Sequence, residues 1–232
     1  MTDTDARLLL SSHLSTPADP DLADTPYGRL GDFDLAQWLT DRDDLHAQAL
    51  NRLERRVHPT ARIHPTAILG EDVIVGAGVR VWEFTTVRGR TYLGPGVSVG
   101  FNCEVTNCYL GSDTVLGHRI GLNRTLVGDG AHLSADVVAA AIHMTDQMTR
   151  PDRDAFLRLP DGLYRCRTPR FGALIGDRVQ TGSRITLGPG AAVGRDCRIH
   201  SHTAIGPSSV ISDRQVVAPA DPTAHHAHQR RR

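Results

Sequence analysis

A histidine and a glutamate carry the clearest chemical signal in this sequence. Glu104 ends a run of regularly spaced apolar residues, and His118 follows it fourteen residues later in the segment Leu116-Gly117-His118-Arg119. If one coil of the fold takes about eighteen residues, less a short step between the two, they lie on neighbouring coils. An imidazole oriented by a carboxylate is a workable general base near neutral pH. This pair is therefore our candidate for proton-transfer chemistry.

The elements that would position this pair follow from a six-residue repeat. An apolar anchor recurs at every sixth place, stops in an irregular middle region, and then returns with the same spacing. A fixed internal period outweighs local propensity as a guide to the fold. The first run of anchors is Val57, Ile63, Leu69, Val75, Val81, Val87, Leu93, Val99 and Val105, and the second is Ile175, Thr181, Leu187, Val193, Ile199, Ile205, Ile211 and Val217.

The residues around each anchor indicate a chain that bends every six residues. Glycine often follows the anchor, as at Gly70 and Gly94, and the fifth place is small or branched, as at Ala61 and Thr85. Glycine accepts backbone angles that side chains forbid, and modest volumes suit a tight corner. Three hexads then close one triangular coil of short parallel strands. An ordinary β-sandwich would instead show a period of two with turn signals every eight to twelve residues.

Residues 1–56, ahead of the repeat, are predicted to form a polar lead and a helical cap. Residues 1–26 are polar and contain three prolines, so we expect no ordered fold there. From Asp34 to Arg56 the apolar spacing indicates one or two amphipathic helices, with Asp32 or Asp34 as the N-cap. We expect these helices to cover the open N-terminal end of the solenoid, whose strand edges would otherwise be exposed.

Residues 57–218 are predicted to form one repeat domain with a single long extruded loop, 141–170. The spacing of the anchors shortens to five at Leu110 and again at Val127, and it vanishes in the loop. Loops of such length in a compact fold are usually functional or mobile. Residues 219–232, which end in histidines and arginines, are expected to be a disordered tail.

Composition excludes several classes of function. The chain has 232 residues, 40% of them hydrophobic, and 26 basic residues balance 26 acidic ones. This balance gives no electrostatic case for nucleic acid or membrane binding. No apolar stretch approaches the roughly 18 residues of a membrane span, and the first residues lack the pattern of a secretory signal. We therefore expect a cytoplasmic protein, whose four cysteines fill the core rather than form disulfides.

The repeat resembles the hexapeptide-repeat proteins, whose fold is a left-handed parallel β-helix. Within it, the ungapped run RGRTYLGPGVSVGFNCEVTNCYLGSDTVLGH, from Arg88 to His118, resembles the acetyltransferase domain of the bifunctional glucosamine-1-phosphate acetyltransferase/N-acetylglucosamine-1-phosphate uridylyltransferase family. After the loop, the run beginning Arg170-Phe171-Gly172 resembles a Lys-Phe-Lys-Thr-Ile-Ile-Gly-Asp stretch of the same family. The left hand of the helix is implied by this resemblance, because periodicity alone does not show it.

The resemblance also implies roles for five residues. His118 matches the catalytic base, and Glu104 matches the glutamate beside it. Arg88 and Arg170 match substrate-binding residues, the first of which holds a phosphate. Ser183 matches a serine near the thioester carbonyl of acetyl-CoA. The resemblance further implies a homotrimer with active sites between neighbouring subunits, and acetyl-CoA as co-substrate without a metal.

Several positions depart from the pattern of that family. A substrate-contacting tyrosine is replaced by Gly121, a lysine by Thr106, an asparagine by His132, and an Asn-Tyr pair by Ala141-Ile142. The 56 residues ahead of the repeat are also too few for a nucleotidyltransferase domain. We therefore expect an acceptor other than glucosamine 1-phosphate. Arg88 and Arg170 still favour an anionic acceptor, because guanidinium forks suit phosphate or carboxylate.

These observations favour a CoA-dependent acyltransferase, most simply an acetyltransferase. The acceptor would be an amine or hydroxyl of a sugar phosphate, nucleotide sugar or similar small anionic metabolite. His118 would remove a proton from the acceptor while Glu104 orients the imidazole. The Ser183 hydroxyl or a backbone N–H would stabilise the tetrahedral oxyanion.

Two other classes of protein stay open at this point. A γ-carbonic-anhydrase-like enzyme would bind zinc through three histidines across a subunit interface, although Asn123 stands where the second of a close histidine pair would be expected. A non-catalytic scaffold that kept the helix and lost the chemistry is the other alternative. The candidate zinc ligands are His118, His132, His143, His200 and His202.

Overall fold

The protein is a three-sided parallel β-solenoid, seen in a computed structural model that describes residues 7–144 and 147–219. Twenty-two short strands stack into three parallel sheets, which we name sheets I, II and III. Each coil of the chain contributes one strand to each sheet in turn. The predicted all-β parallel solenoid is therefore confirmed, while its left hand stays an expectation from the resemblance.

The three sheets contain eight, seven and seven strands. Sheet I contains β1 (Arg62–Ile63), β4 (Arg80–Val81), β7 (Ser98–Val99), β10 (Val115–Leu116), β13 (His132–Leu133), β18 (Gln180–Thr181), β21 (Arg198–Ile199) and β24 (Val216–Val217). Sheet II contains β2 (Ile68–Leu69), β5 (Thr86–Arg88), β8 (Glu104–Thr106), β11 (Gly121–Asn123), β14 (Val138–Ala139), β19 (Thr186–Leu187) and β22 (Ala204–Ile205). Sheet III contains β3 (Ile74–Val75), β6 (Tyr92–Leu93), β9 (Tyr109–Leu110), β12 (Leu126–Val127), β17 (Ala173–Ile175), β20 (Ala191–Val193) and β23 (Val210–Ile211).

The six-residue anchors point inward and stack on one another. Val81 pairs with Val99, and both are almost fully buried in the central core. The pairing offset is eighteen residues at this level, as Arg80 and Ser98 show. It falls to seventeen between Ser98 and Val115, because the step at Leu110 removes one residue from the corner between sheets II and III.

Sheet III differs from the other two sheets because its outer face is apolar and covered. Its outward residues Ile74, Tyr92, Tyr109, Leu126 and Leu174 are all buried in a second hydrophobic cluster. Covering them removes a continuous apolar surface from water, which at roughly 25 cal/mol per Å² stabilises whatever packs there. The N-terminal segment and the long insertion provide this cover.

The N-terminal segment provides the first part of this cover. Three 3-10 helices, Leu10–Ser12, Pro20–Leu22 and Pro26–Asp32, lead into helix α1 (Leu35–Arg52), and the Asp34 side chain caps it by accepting from the Ala36 N–H at 3.1 Å. The helix and its Asp34 N-cap are thus confirmed. Leu10, Leu14, Leu22, Tyr27 and Leu30 are buried.

Two expectations for this segment are wrong. The lead is folded from residue 7 onward, because most of its leucines belong to the apolar cluster that covers sheet III. The helix lies along the outer face of sheet III rather than across the N-terminal end. His46 bonds to the carbonyl of Asp72 and Arg42 to that of Asn107, which lie on different coils. Residues 1–6 lie outside the described part of the chain.

The long insertion, which was predicted to be extruded from a coil, supplies the rest of the cover, and its described part contains a hairpin that the sequence did not predict. Strands β15 (Phe156–Leu159) and β16 (Gly162–Arg165) form an antiparallel hairpin. Leu157, Tyr164 and Cys166 are buried against sheet III, and the Tyr164 hydroxyl donates to Asp34 Oδ1 at 2.6 Å. The hairpin thereby joins the N-terminal end of α1 to the later coils.

All four cysteines are buried free thiols, as expected of core residues. In residues 7–144 and 147–219, no helix is long and apolar enough to cross a membrane. The predicted disordered tail lies almost wholly outside the described residues, which end at residue 219.

Candidate functional site

A shallow depression on the outer face of sheet II gathers several of the predicted site residues. It is bordered by Arg88, Glu104 and Gly121 of three successive strands and by Arg119 at the neighbouring corner. Gly121 stands directly beside Glu104 in the strand register. A side chain at Gly121 would meet only the methyl groups of Val138, at 3.9 Å, so this glycine leaves open space on the sheet.

Arg88 and Glu104 form an ion pair within this depression. The Arg88 guanidinium donates to Glu104 Oε1 and, at 3.2 Å, to the Thr106 hydroxyl. Both charged side chains are more than half exposed. An exposed pair of this kind contributes about 0 to 1 kcal/mol to stability. Its main effect is local, because each partner cancels the charge that the other would offer a ligand.

His118 lies in the turn between β10 and β11, at the corner where sheet I meets sheet II. The main chain of this turn is tied to the next coil, since the Asp136 N–H donates to the His118 carbonyl at 2.9 Å. The expected placement of Glu104 and His118 on neighbouring coils is found. Within the described residues, however, the Glu104 carboxylate accepts a hydrogen bond from Arg88, and none forms between it and the exposed His118 ring.

Ser183 occupies the matching place in the same corner, two coils further along, after β18. The strand order β10, β13, β18 sets this separation at roughly 10 Å, given about 4.8 Å between neighbouring strands. The Ser183 hydroxyl lies 3.1 Å from that of Ser134, and the Ser183 N–H donates to the Ser201 hydroxyl at 3.0 Å. The hydroxyl is therefore the group that Ser183 can offer a ligand.

Arg170 is far from Arg88. It follows the insertion and enters the coil of β14, where it bridges to Ile142. Arg88 belongs to β5, three coils away, so the spacing of the coils alone separates the two by roughly 14 Å within one subunit. The structure thus brings Arg88 to Glu104, and His118 into line with Ser183, while Arg170 stands apart.

One arginine near Arg170 was not singled out in the sequence. Arg124 lies at the corner between sheets II and III, and the Gly172 N–H donates to its carbonyl at 3.0 Å. The five-residue step before Val127 was the available signal, because it marks a shortened corner. Its chemical meaning depended on residues that arrive from the insertion and from α1.

The histidines considered as zinc ligands are spread over the solenoid. His132 lies on β13, His143 in the insertion, and His200 and His202 in the turn after β21. His200 and His202 do not alternate along one strand, because the chain turns at Ser201 and His202 has a φ of 64°. Among the described residues, no three metal-binding side chains are close enough together to hold an ion.

Comparison with known proteins gives distant matches. No protein-family model matches the chain. The uncharacterized acetyltransferase YaiX of Escherichia coli K12 is 23% identical over 121 residues, which cover 52% of this chain and 47% of that protein. The YaiX protein of E. coli strain 536 matches to the same extent. The chain therefore spans about half the length of the curated relatives it matches.

Solved structures show low overall similarity. The N-acyltransferase AntD from Bacillus cereus, a complex with dTDP-4-amino-4,6-dideoxyglucose and coenzyme A, is 13% identical with a TM-score of 0.43, over 71% of this chain and 79% of that one. PerB from Caulobacter crescentus, a complex with CoA and GDP-perosamine, is 16% identical with a TM-score of 0.32, over 77% and 62%. The polysialic-acid-specific acetyltransferase NeuO is 12% identical with a TM-score of 0.44, over 71% and 85%.

Proposed function

We propose that this protein is an acetyl-CoA-dependent acyltransferase that uses His118 as general base. The observation that carries the proposal is the shared corner of His118 and Ser183, beside a depression that holds Glu104 and Arg88. A base and a hydroxyl donor on one edge, next to an open surface, are what acyl transfer requires. The YaiX relatives are named as acetyltransferases, which supports the same class of reaction.

The reaction needs no covalent intermediate. The acceptor amine or hydroxyl would attack the thioester carbonyl of acetyl-CoA while His118 removes its proton. The carbonyl oxygen would become an oxyanion, to which the Ser183 hydroxyl donates a hydrogen bond. Collapse of the tetrahedral intermediate would expel the CoA thiolate, and the His118 imidazolium would return its proton to that sulfur.

In this proposal the acceptor is a sugar phosphate, nucleotide sugar or comparable anionic metabolite. Gly121 stands where the resembling family has a tyrosine, and it leaves room on the sheet beside Glu104. A pocket with that volume open favours a different or larger acceptor than glucosamine 1-phosphate. Binding of such an acceptor beside Glu104 would change the electrostatic interaction between Glu104 and Arg88.

We also propose that the active form is a homotrimer in the cytoplasm. The corner that carries His118 also carries exposed aromatic side chains on earlier coils, Trp82, Phe84 and Phe101. Phe84 and Phe101 pack edge to face with centroids 5.8 Å apart. Apolar groups clustered on a surface commonly mark a protein interface. A subunit docked there would close the cleft in which His118 and Ser183 act.

Calorimetric titration of the protein with CoA and with acetyl-CoA tests the proposal. We expect binding in the micromolar range for both ligands, and acetyl transfer when amino-sugar phosphates and nucleotide sugars are then screened as acceptors. Absence of CoA binding would contradict the acyltransferase assignment. Elemental analysis of the same sample identifies any stoichiometric zinc.

One observation favours a non-catalytic scaffold as the second candidate. The carboxylate expected to orient His118 is paired with Arg88 instead, so among the described residues no carboxylate holds the ring in place. A solenoid that lost its chemistry would show this arrangement. The titration distinguishes the two, because a scaffold of this kind would bind neither CoA nor acetyl-CoA.

A further inference from the structure

Four arginines lie around the corner between sheets II and III, and of these only Arg170 has been assigned above. Arg42 comes from α1, Arg90 and Arg124 from two turns of the solenoid, and Arg170 from the end of the insertion. Arg42, Arg90 and Arg124 line one small cavity together with Asn107. We name these four residues the arginine cluster.

The guanidinium groups of two members of the cluster already have hydrogen-bond or ion-pair partners. Arg42 is 8% exposed and donates to the carbonyls of Asn107 and Arg90, both at 3.1 Å. Arg90 pairs with Asp43 at 3.2 Å, and the same carboxylate lies 3.7 Å from Arg42. These bonds fix α1 to the corner. Asp43 is therefore already shared between two cations.

Arg124 is held in place but its guanidinium is not paired. Its N–H donates to the Thr106 carbonyl at 3.0 Å and its carbonyl accepts from Gly172, while its φ of 49° sets the direction of the side chain. It is half-buried, and in residues 7–144 and 147–219 no carboxylate forms an ion pair with it. Burial first, and then the charge of Arg42, lower the pKa of Arg124 from its usual value.

The charges at this corner do not balance. Arg42, Arg170 and Arg90 each act on Arg124, and among the described residues Asp43 is the carboxylate that opposes them. Gathering cations that Asp43 does not neutralise costs free energy, and that cost is recovered when an anion binds between them. Guanidinium groups bind phosphate through paired N–H donors, and such charge-assisted bonds are about twice as strong as neutral ones.

We propose that Arg124 and Arg170 form a binding site for the phosphate or diphosphate group of the acceptor. They lie on adjacent coils, and the Gly172 N–H bond to Arg124 joins the two segments directly. Arg88 is excluded from this site because Glu104 neutralises it and three coils separate it from Arg170. The assignment of the anion to the acceptor rests on the proposed function.

The length of sheet II fits an extended acceptor. Strand β11, Gly121–Asn123, separates the corner of His118 from that of Arg124. At about 3.3 Å per residue, the two corners lie roughly 10 to 15 Å apart. A metabolite whose phosphate is this far from its reacting amine or hydroxyl, such as a sugar diphosphate, would span the sheet.

Calorimetric titration with inorganic pyrophosphate at fixed ionic strength tests the site directly, without turnover. We expect saturable binding that weakens at least tenfold in Arg124→Gln and in Arg170→Gln, because each loses charge-assisted hydrogen bonds. Arg214→Gln is the matched control, since Arg214 is an exposed arginine at another corner, with a comparable φ of 59°.

Each outcome has a separate meaning. No saturable pyrophosphate binding, or unchanged binding in both Arg124→Gln and Arg170→Gln, would overturn the site. Arg170 is exposed, so its variant stays informative if Arg124→Gln unfolds, which thermal unfolding would reveal. If Arg124→Gln weakens CoA binding tenfold as well, the anion belongs to CoA and the acceptor assignment is overturned. If CoA does not bind at all but pyrophosphate does, the acyltransferase proposal fails and the anion site stands.

Discussion

At the scale of single residues, the orientation of the His118 ring depends on whether Glu104 is free to contact it. The carboxylate is engaged by Arg88, which lies on the preceding coil of the same sheet. A second anionic group of the acceptor, apart from the phosphate assigned to Arg124 and Arg170, would compete for the Arg88 guanidinium and release Glu104 toward the neighbouring coil. Without a substrate, Glu104 would stay paired with Arg88. The His118 ring would gain its orienting carboxylate only when the acceptor is bound.

The replacement His118→Ala tests the role of this ring. We expect turnover to fall at least about a hundredfold while CoA binding and thermal stability change little, because positioned general bases contribute roughly 10² to 10⁴. The ring is exposed, so its removal leaves no cavity. Steady-state kinetics with the best acceptor measures the effect. His200→Ala is the matched control at the same corner, and turnover near that of the control would disprove the assignment.

At the scale of elements, the sequence predicted the coils well because the apolar residue at every sixth position determines which side chains face the core. Each anchor faces inward whatever its neighbours are, as the stacked Val81 and Val99 show. The cover of sheet III was missed although its signal is present. Tyr92, Tyr109 and Leu126, each directly before an anchor in every third hexad, form an apolar outward column. Sheets I and II mostly carry polar or small residues there.

The site was harder to predict than the coils for a physical reason. Register places Glu104, Arg88 and Gly121 on one face, but rotamers decide which charges pair, and spacing does not determine rotamers. The insertion folds back through contacts of high sequence separation, such as that of Tyr164 with Asp34. The role of Arg124 depends on such contacts, so no local pattern could reveal it.

The corner between sheets III and I shows how the N-terminal segment is attached. Asp177 is fully buried, accepts from the N–H and hydroxyl of Ser15 at 3.1 and 2.8 Å, and pairs with Arg195 at 3.1 Å. Asp129 lies beside it on the preceding coil and donates its N–H to Asp177. Burial, together with the negative charges of Asp177 and Asp113, raises the pKa of Asp129 to about 6.

This raised pKa makes the stability of the corner depend on pH. A carboxyl whose pKa is higher in the folded state stabilises the fold fully below about pH 4, and this contribution is lost as pH rises through about 6. Asp129→Asn keeps the acceptor for the Ser112 N–H and removes the charge. We expect the variant to gain about 1 to 2 kcal/mol in free energy of unfolding near pH 7.5, after allowance for solvent screening.

Chemical denaturation of Asp129→Asn and of the unsubstituted protein at about pH 4 and about pH 7.5 measures this effect. The gain of the variant should be small at the lower pH and larger at the higher one. His13 titrates in the same corner, where burial lowers its pKa, and it destabilises the fold as pH falls. Taking the difference between the two proteins cancels that contribution. A gain that is equal at both pH values would contradict the prediction.

At the scale of the whole molecule, the three faces of the solenoid have different tasks. Sheet III is covered by the chain itself, with α1 and the hairpin as its outer layer. The corner between sheets I and II keeps large apolar groups in water, and Phe84 is 61% exposed there. Because helix α1 and the hairpin already cover sheet III, the corner between sheets I and II is the surface on which a second subunit would bury apolar area. The proposed catalytic cleft lies along the same edge.

Phe84→Glu tests whether assembly uses this corner. We expect the unsubstituted protein to have the mass of a trimer and the variant that of a monomer, because a buried, unpaired carboxylate at an interface is costly. Light scattering coupled to size-exclusion chromatography measures the mass, and circular dichroism checks the fold. Val216→Glu is the matched control, since Val216 is 64% exposed on the last strand of sheet I, away from the aromatic groups.

A trimer that survives Phe84→Glu, or a monomeric unsubstituted protein, would contradict assembly at this corner. Should the monomer form, its turnover is expected to fall with the mass while its affinity for pyrophosphate persists, since Arg124 and Arg170 lie within one subunit.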